Sequence, residues 1–296
     1  MLSVLIPNFN YSVEPLLEDL LAQCERLGLP FEILCFDDAS DAIFRPQKPI
    51  SDVNNRVKIS LLEKNIGRSK IRNSLAASAV FPNLLFMDCD MSVAQNPNFI
   101  QNYVAAQQDN PTSVLLGGHI YEQECTPNKI LHWKNGSLRE VKTAAERSKN
   151  PYSNFTSSNF MLPKNIFQSI KFDENLMQYG HEDTLFGLIL EQQKISILHL
   201  DNPSVHLGLE NTSIFLKKTK FAIENLVFLN QKSSVVQTKL TKTVFFLKKY
   251  ALTQPTRLAL AFVLPIIENH LHTSPNPRLF VLDLFKLYYF LTFSRR

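Results

Sequence analysis

The first 40 residues contain two apolar runs separated by an amphipathic helical pattern, and few folds accommodate that order. "LSVLIP" and "FEILCFDDAS" predict buried strands, because their apolar side chains follow one another without polar alternation. Between them, "VEPLLEDLLAQCERLG" repeats leucines at helical spacing and stops at Gly28, a residue that commonly follows a helix end. This order predicts a βαβ unit with parallel strands and a right-handed crossover.

The same alternation continues along the chain. "VKISLLEKN" predicts a third strand, "IGRSKIRNSLAASAV" a helix beginning after Gly67, and "NLLFMDCDMSV" a strand that runs into Asp88 and Asp90. "NFMLP" and "ISILHLDNPSVHLG" return to strand character. Residues 134–158 are polar and weakly periodic, which predicts a mobile loop that acts as a lid. The expected class is α/β, with a mostly parallel central sheet and flanking helices.

Composition excludes several protein classes. Among 296 residues, 45% are hydrophobic and 20% are charged, which disfavours disorder. The four cysteines lie far apart without a CxxC pair, so neither a zinc site nor a disulfide framework is expected, and a reducing cytoplasm fits best. The N-terminus lacks the pattern of a signal peptide, and no apolar stretch approaches the 18 residues of a spanning helix.

Charge divides the chain into two parts. From Glu210 onward there are 13 Lys or Arg and 4 Asp or Glu, out of 31 and 27 in the whole chain. We therefore expect a catalytic or binding domain over residues 1–210 and a basic amphipathic helical region over 211–296. Two interpretations of the basic region remain open: a helical subdomain with solvated lysines, or attachment to an anionic membrane surface.

Acidic residues follow the predicted strands at their carboxyl ends, the edge where ligands bind in open α/β sheets. Asp88 and Asp90, at i and i+2 on an extended segment, would point the same way and suit Mg²⁺ or Mn²⁺. The alternative is a turn with solvated aspartates. Asp38 in "CFDDAS" could accept hydrogen bonds from a base or a ribose, or it could cap a turn.

Two further motifs carry polar side chains beside predicted helix starts. "NIGRSKIRN" brings Arg68 and Arg72 to a helix N-terminus, a combination that binds phosphate or forms an exposed basic face. "QYGHEDTLFG" places Glu182 and Asp183 at the start of a buried helix, where they cap the helix or supply a catalytic base. Trp133 in "LHWKNG" is either a packed aromatic residue or a platform for an acceptor sugar.

Six of these motifs occur in the order found in family 2 glycosyltransferases: "SVLIPNFN", "FDDAS", "NIGRSKIRN", "LLFMDCDM", "FDENLMQYGHEDTLFG" and "NPSVHLG". The chain resembles that family from residue 1 to about residue 210. The resemblance implies a GT-A fold and transfer of a sugar from a nucleotide-diphosphate sugar, with inversion at the anomeric carbon. Acceptor preference does not carry over, because the aromatic residue common before the acid pair is replaced here.

The resemblance also implies roles for individual residues. The nucleotide sugar would contact Pro7, Asn10, Asp38, Asn65, Gly67, Arg68, Arg72 and Asp88. A divalent metal, Mn²⁺ or Mg²⁺, would be held by Asp88, Asp90 and His206. Asp183 would be the general base, and Glu182 would orient the helix start or bind acceptor hydroxyls. Apart from what the resemblance implies, we expect the acceptor to contact Trp133, Asn159 and His181.

The expected partners are a nucleotide-diphosphate sugar donor and a glycan or lipid-linked acceptor, with no nucleic acid. The expected location is the cytoplasm, including the inner face of the plasma membrane. A sugar nucleotidyltransferase is the enzyme alternative, but "IPNFNYSVEP" lacks the glycine-rich phosphate loop of that class. A nucleotide-sugar-binding scaffold with a dead site is the non-enzyme alternative, and the acids at positions 88, 90 and 183 argue against it.

Overall fold

The computed structural model describes residues 1–45, 50, 54–175, 180–231 and 236–295. These residues form two compact units. The first comprises the described parts of Met1–Glu122, Val141–Met177 and Glu182–Gly208. The second comprises those of Gln123–Glu140, Gln178–His181 and Leu209–Arg296, so residues 123–140 belong to the second unit although they precede residue 210.

The first unit alternates strands and helices in the predicted order. Its strands are β1 Leu2–Asn8, β2 Phe31–Asp37, β3 Val57–Leu61, β4 Asn83–Met87, β5 Met91–Ser92, β6 Val114–Leu116, β7 His119–Tyr121, β8 Asn159–Pro163, β9 Ile197–His199 and β10 Ser204–His206. Its helices are α1 Glu14–Leu27, α2 Arg68–Ser78, α3 Phe99–Asp109, α5 Ala144–Ser148, α6 Lys164–Ile170 and α7 Glu182–Gln192, with a short 3₁₀ turn at Ala42–Phe44.

The central sheet has seven strands in the order β3-β2-β1-β4-β8-β6-β9. The first four are mutually parallel, and β8 is antiparallel to both of its neighbours. Helix α1 ends where Gly28 adopts a left-handed conformation at φ 63°, which confirms the predicted stop. The predicted βαβ unit and the mostly parallel α/β class are both confirmed.

Both faces of the central sheet are covered by apolar cores. On one face, β1 side chains such as Val4 and Ile6 pack in a cluster with Leu17 of α1 and Phe99 of α3. On the other face, Leu5 belongs to a cluster with residues of α2, α6 and α7. This two-sided burial explains the continuous apolar runs in the sequence, since neither face of a central strand meets water.

A small second sheet lies after the carboxyl end of β4. It has the order β5-β10-β7, in which β10 is antiparallel to β5 and parallel to β7. His206 pairs with Met91 across this sheet and with Tyr121 on its other side. The short sheet thereby brings chain segments from positions near 90, 120 and 206 together.

The lid predicted over residues 134–158 is not a structureless loop. Its described residues include α5, which opens with a capping box formed by Thr143 and Glu146. Arg147 of α5 is buried, and its guanidinium donates to the carbonyl oxygens of Gly117 at 3.1 Å and Leu200 at 2.6 Å. These bonds hold α5 against the residues that directly follow β6 and β9. They join residues far apart in the chain, so a weakly periodic sequence does not predict them.

The second unit is helical. Its long helices are α8 Thr212–Gln231, α9 Lys239–Lys249, α10 Thr253–Thr273 and α11 Leu279–Phe293, preceded in the chain by a 3₁₀ turn at Pro127–Lys129, α4 Ile130–Asn135 and a π-helical turn at Gly136–Glu140. Leu131 of α4 shares a core with Leu271 of α10 and Phe285 of α11. Among the described residues, no helix combines the length and apolarity needed to cross a membrane.

Candidate functional site

The candidate site of the first unit lies at the carboxyl ends of its parallel strands. Strands β1 and β2 end in register, with Asn8 opposite Asp37, and the Asn8 side-chain amide donates to Asp37 Oδ2 at 3.1 Å. Asp37 Oδ1 in turn accepts the Ser40 backbone N–H at 2.7 Å. Asp37 therefore organises the turn after β2, and the neighbouring Asp38 is held by the backbone bond from its N–H to the Asn8 carbonyl.

Asp38 anchors the loop that leads into α2. Its two carboxylate oxygens accept the backbone N–H groups of Ile66 at 2.7 Å and Gly67 at 3.0 Å. The Asn65 side chain donates to the Asp38 carbonyl oxygen at 3.3 Å. Gly67 precedes α2 with φ 85°, a conformation that glycine adopts without steric cost. The structure therefore brings three predicted donor-site residues together, with Asp38 as the organiser of the loop.

The other two predicted residues near this turn lie on β1 and just after it. Pro7 is on β1, opposite Phe36 of β2. Asn10 has a positive φ of 51° and exchanges two hydrogen bonds with Asp41, at 2.8 Å and 3.3 Å. Its backbone N–H donates to Ser40 Oγ at 2.7 Å. Asn10 thus joins the turn after β1 to the turn after β2.

Arg72 links α2 to the end of β4. The residue is 1% exposed, and its Nη2 contacts Asp88 Oδ1 at 2.5 Å. The guanidinium also lies 5.5 Å from the centroid of the Phe172 ring and donates to the Arg68 carbonyl oxygen at 3.3 Å. Both terminal nitrogens of Arg72 are thus bonded within the protein, while its buried Nε has no partner among the described residues. We therefore assign Arg72 to positioning Asp88.

Asp88 and Asp90 do not lie on one extended segment as predicted. Strand β4 ends at Met87, and a turn follows in which the Met91 N–H donates to the Asp88 carbonyl at 3.3 Å. The two carboxylates consequently face different partners, Arg72 for Asp88 and His206 for Asp90. The alternation of side chains along a strand stops applying where the strand stops.

Asp90 is held against the small sheet. His206 Nε2 lies 3.4 Å from Asp90 Oδ2, and the Leu207 N–H donates to the Asp90 carbonyl oxygen at 2.8 Å. A Cβ added at Gly208 would collide with the Asp90 carboxylate, so the carboxylate occupies space that only glycine leaves. Burial raises the pKa of Asp90, but its hydrogen bond to His206 and the positive charges of His206 and Arg68 outweigh that effect and lower it to about 2.

The donor set at Asp90 and His206 fits a divalent metal with two protein ligands. Ligands about 2.1 Å from one ion and at right angles lie about 3 Å apart, close to the observed separation of 3.4 Å. Carboxylate suits Mg²⁺ and Mn²⁺, and imidazole favours a transition metal, so the pair fits Mn²⁺ better than Mg²⁺. In the described ranges no group of three or more His, Cys, Asp or Glu is placed to hold an ion.

Aromatic residues that the sequence interpretation missed surround His206. The His206 ring centroid lies 5.2 Å from that of Tyr121 and 6.2 Å from that of His119. Burial and the negative charges of Asp90 and Glu122 raise the pKa of Tyr11. The alternating residues of "HIY" offered one weak signal, since His119 and Tyr121 share a strand face.

Glu182 and Asp183 both lie in the first turn of α7, where acids complement the helix dipole. Glu182 is buried and accepts a hydrogen bond from Arg68 Nη1 at 3.2 Å. Burial raises the pKa of Glu182, but the positive charges of Arg68 and Arg72 outweigh burial and hold it below its ordinary value. Glu182 is thus a stable carboxylate that holds Arg68.

The pKa of Asp183 is shifted in the opposite direction to that of Glu182. Its Oδ2 accepts the Ser157 backbone N–H at 3.0 Å, whereas its buried Oδ1 has no hydrogen-bond partner among the described residues. Burial and the neighbouring charge of Glu182 raise its pKa to about 6. A carboxylate with one free oxygen and a pKa close to neutrality is suited to accept a proton from a bound group.

The three predicted acceptor residues are placed differently from one another. Asn159 is completely buried, bonded to Tyr103, and its amide donates to the Gly118 carbonyl oxygen at 2.8 Å. Because its polar atoms bond within the core, Asn159 is not among the acceptor contacts proposed below. Trp133 lies half-buried on α4. His181, which directly precedes α7 in the chain, has a φ of 70°. Trp133 and His181 both belong to the second unit. Gln178 and Tyr179 of the same motif lie outside the described residues.

Comparison with known proteins gives the same family as the sequence motifs. A family model described as "Glycosyl transferase family 2" matches residues 3–171, more than half of the chain. No curated protein matches the chain by sequence.

Similar solved structures cover almost the whole chain. TarS 1-349 from S. aureus is 18% identical with a TM-score of 0.50, covering 99% of this chain and 90% of that one, and the crystal structure in complex with UDP-GlcNAc gives the same values. The full S. aureus TarS structure has a TM-score of 0.52, and the match covers 55% of its length. The mannosyltransferase PcManGT from Pyrobaculum calidifontis, in complex with GDP-Man and Mn²⁺, is 12% identical with a TM-score of 0.55, covering 99% and 85% of the two chains.

Proposed function

Since the chain belongs to glycosyl transferase family 2, we propose that it transfers a sugar from a nucleotide-diphosphate sugar to an acceptor hydroxyl with inversion at the anomeric carbon. The fold is GT-A, as in the similar transferase structures. The observation that carries the mechanism is the buried, unpartnered Oδ1 of Asp183, whose carboxyl has a pKa of about 6.

Asp183 acts as the general base. The acceptor hydroxyl must lose a proton as its oxygen bonds to the anomeric carbon, and Oδ1 has no competing donor among the described residues. The bond from the Ser157 N–H fixes the carboxylate through Oδ2 and leaves Oδ1 to the acceptor. A single base acting opposite the leaving group implies one displacement, and hence inversion.

The donor occupies the carboxyl edge of β1, β2 and β4. Pro7, Asn10 and the loop at Asn65 and Gly67 surround the nucleotide, and Asp38 holds that loop in place through two backbone N–H groups. Arg68 at the start of α2 is about half exposed, so its guanidinium can reach the diphosphate while Glu182 orients it. Arg72 acts through Asp88 and fixes the position of that carboxylate.

Asp90 and His206 would hold the divalent metal, which offsets negative charge on the diphosphate leaving group when bound. Two protein ligands suffice, because an ion of this kind takes its remaining ligands from phosphate oxygens and water. Gly208 maintains the space for the Asp90 carboxylate. Mn²⁺ is the ion we favour, since one ligand is imidazole.

The acceptor is a saccharide or a lipid-linked glycan, and Trp133 and His181 are its proposed contacts. The donor base is open between uridine and guanosine, because the similar structures include complexes with UDP-GlcNAc and with GDP-Man.

The proposal is tested with a panel of UDP-, GDP-, CMP- and dTDP-sugars, with Mn²⁺ and with a chelator. We expect one nucleotide class to raise the melting temperature in Mn²⁺ and to be consumed when acceptor is added. Binding without sugar transfer to any saccharide or lipid-linked acceptor would support a nucleotide-sugar-binding scaffold. Release of pyrophosphate from a nucleoside triphosphate and a sugar phosphate would support a nucleotidyltransferase.

A further inference from the structure

Helix α10 has two apolar faces, although a helix needs only one to pack. Leu260, Ile267 and Leu271 point into the core of the second unit. On another face, at spacings of four residues, Leu258, Phe262 and Ile266 are exposed by 59%, 87% and 69%. Residues 258–267 contain no charged side chain. Such exposed apolar area is costly in water unless something covers it.

The preceding helix continues this pattern. Phe245, Phe246 and Tyr250 are exposed at the end of α9 and in the link that follows it, and α9 and α10 contact each other. We call the exposed apolar side chains of the two helices the apolar face, which comprises Phe245, Phe246, Tyr250, Leu258, Phe262 and Ile266. Aromatic and branched side chains of this kind insert into the boundary between lipid headgroups and acyl chains.

Positive charge accompanies the apolar face. Lys239, Lys242, Lys248 and Lys249 of α9 are all exposed. No acidic residue occurs between Lys239 and Ile267. An exposed apolar face flanked by lysines without acids matches an anionic lipid surface, in which apolar groups insert and ammonium groups meet the headgroups.

We propose that the apolar face and the lysines of α9 bind an anionic membrane surface, with α10 lying in the plane of the interface. The charge decides between this occupant and a second copy of the chain. A symmetric dimer through the same face would bring the lysines of both copies together with no acids on α9 to offset them. An anionic bilayer supplies the opposite charge.

The test is co-sedimentation of the full chain with vesicles of phosphatidylglycerol and phosphatidylcholine, against vesicles of phosphatidylcholine alone. We expect binding to the anionic vesicles that weakens as salt is raised. Phe262→Gln with Ile266→Gln should lower the apparent affinity at least tenfold, because two inserted side chains are lost. Lys248→Gln with Lys249→Gln should lower it by about an order of magnitude.

Two matched variants control for general effects of exposure and charge. Ile43→Gln changes an apolar side chain that is 85% exposed in the first unit, and Lys58→Gln with Lys149→Gln removes two exposed charges there. Both controls should bind vesicles as the unchanged chain does. Circular dichroism and nucleotide binding are measured for every variant, so that misfolding and loss of the donor site are distinguished from loss of membrane affinity.

Two results would overturn the proposal. The first is failure of the unchanged, folded chain to sediment with anionic vesicles at low salt. The second is a concentration-dependent dimer in sedimentation velocity that the Phe262 and Ile266 substitutions abolish and the Ile43 substitution does not. In that case the apolar face serves self-association.

Discussion

At the residue scale, the pKa values of two neighbouring acids, Glu182 and Asp183, shift in opposite directions because their side chains have different surroundings. Glu182 faces Arg68 and stays ionised, whereas Asp183 is buried beside the charge of Glu182. The charge of Glu182 therefore helps to raise the pKa of Asp183 beside it. Pairs of carboxyl groups whose environments separate their pKa values in this way are a common basis for acid–base chemistry near neutral pH.

We expect Asp183→Asn to lower the rate of sugar transfer by a factor on the order of 10² to 10⁴, because an amide cannot accept the acceptor proton. Donor affinity in calorimetry should be unchanged, since Asp183 contacts Ser157 and not the strand ends around Asp38. Asp19→Asn, on the distant helix α1, is the control and should leave the rate unaffected. Turnover of the Asp183 variant at the rate of the unchanged chain would contradict the base assignment.

The same substitution should stabilise the fold at neutral pH. Folding raises the pKa of Asp183 from 3.8 to about 6, so the folded state prefers the protonated form. The resulting loss in the free energy of unfolding is absent below about pH 4 and grows as the pH rises through 6. At pH 7.5 we expect Asp183→Asn to increase the free energy of unfolding by about 1 to 3 kcal/mol, measured by chemical denaturation. At pH 4 the two proteins should differ little.

The pH dependence of transfer offers an independent check. The base must be ionised to act, so kcat should fall as the pH decreases through about 6. Glu182→Gln removes the negative charge that helps to raise the pKa of Asp183, and should therefore move this acid limb to lower pH. If the acid limb of the kcat profile lies at the same pH in the Glu182 variant, the limb reports the titration of a group other than Asp183. Profiles measured at saturating donor and acceptor separate this effect from binding.

At the element scale, the site depends on how strand ends and short connections are fastened together. Helix α2 begins where Asp38 holds two N–H groups, and its Arg72 reaches back to the end of β4. Strand β10 brings His206 to the turn that carries Asp90. Each of these bonds joins elements far apart in the chain, so the geometry of the site rests on tertiary contacts.

Gly208→Ala should weaken Mn²⁺-dependent binding of a nucleoside diphosphate at least tenfold, because the added methyl group displaces the Asp90 carboxylate. Calorimetry with Mn²⁺ and with a chelator measures the effect. Gly28→Ala is the matched control: its Cβ meets nothing within 4 Å, although φ of 63° makes it strained. We expect the control to lose some stability and to keep its Mn²⁺-dependent affinity, and an equal loss in both variants would count against the role of Gly208.

At the scale of the whole molecule, the metal is expected to matter for binding and not for the fold. The apolar cores of both units are built from aliphatic, aromatic and sulfur-containing side chains, and neither Asp90 nor His206 is a member of them. A chelator should therefore leave the melting temperature of the protein alone unchanged. With donor nucleotide at about 100 times its Kd, Mn²⁺ should add roughly 3 kcal/mol of stability, and the chelator should remove it. Unfolding by chelator alone would instead indicate a structural metal.

The sequence alone determined the βαβ start, the α/β class, the stop at Gly28, the helix after Gly67 and the family resemblance. These features rest on local periodicity and on motif order, which short segments carry by themselves. It also predicted a catalytic role for Asp183 and a metal-binding role for Asp90. It did not determine what faces them.

Only the tertiary structure decided which partners the acids meet. It turned Asp88 toward Arg72 and Asp90 toward His206, buried Asn159 in the core, and fastened residues 141–158 through Arg147. It also gave Glu182 and Asp183 opposite pKa shifts and left Phe262 exposed. Burial and charge at a side chain come from residues distant in the chain, and no local pattern encodes which of them will be close.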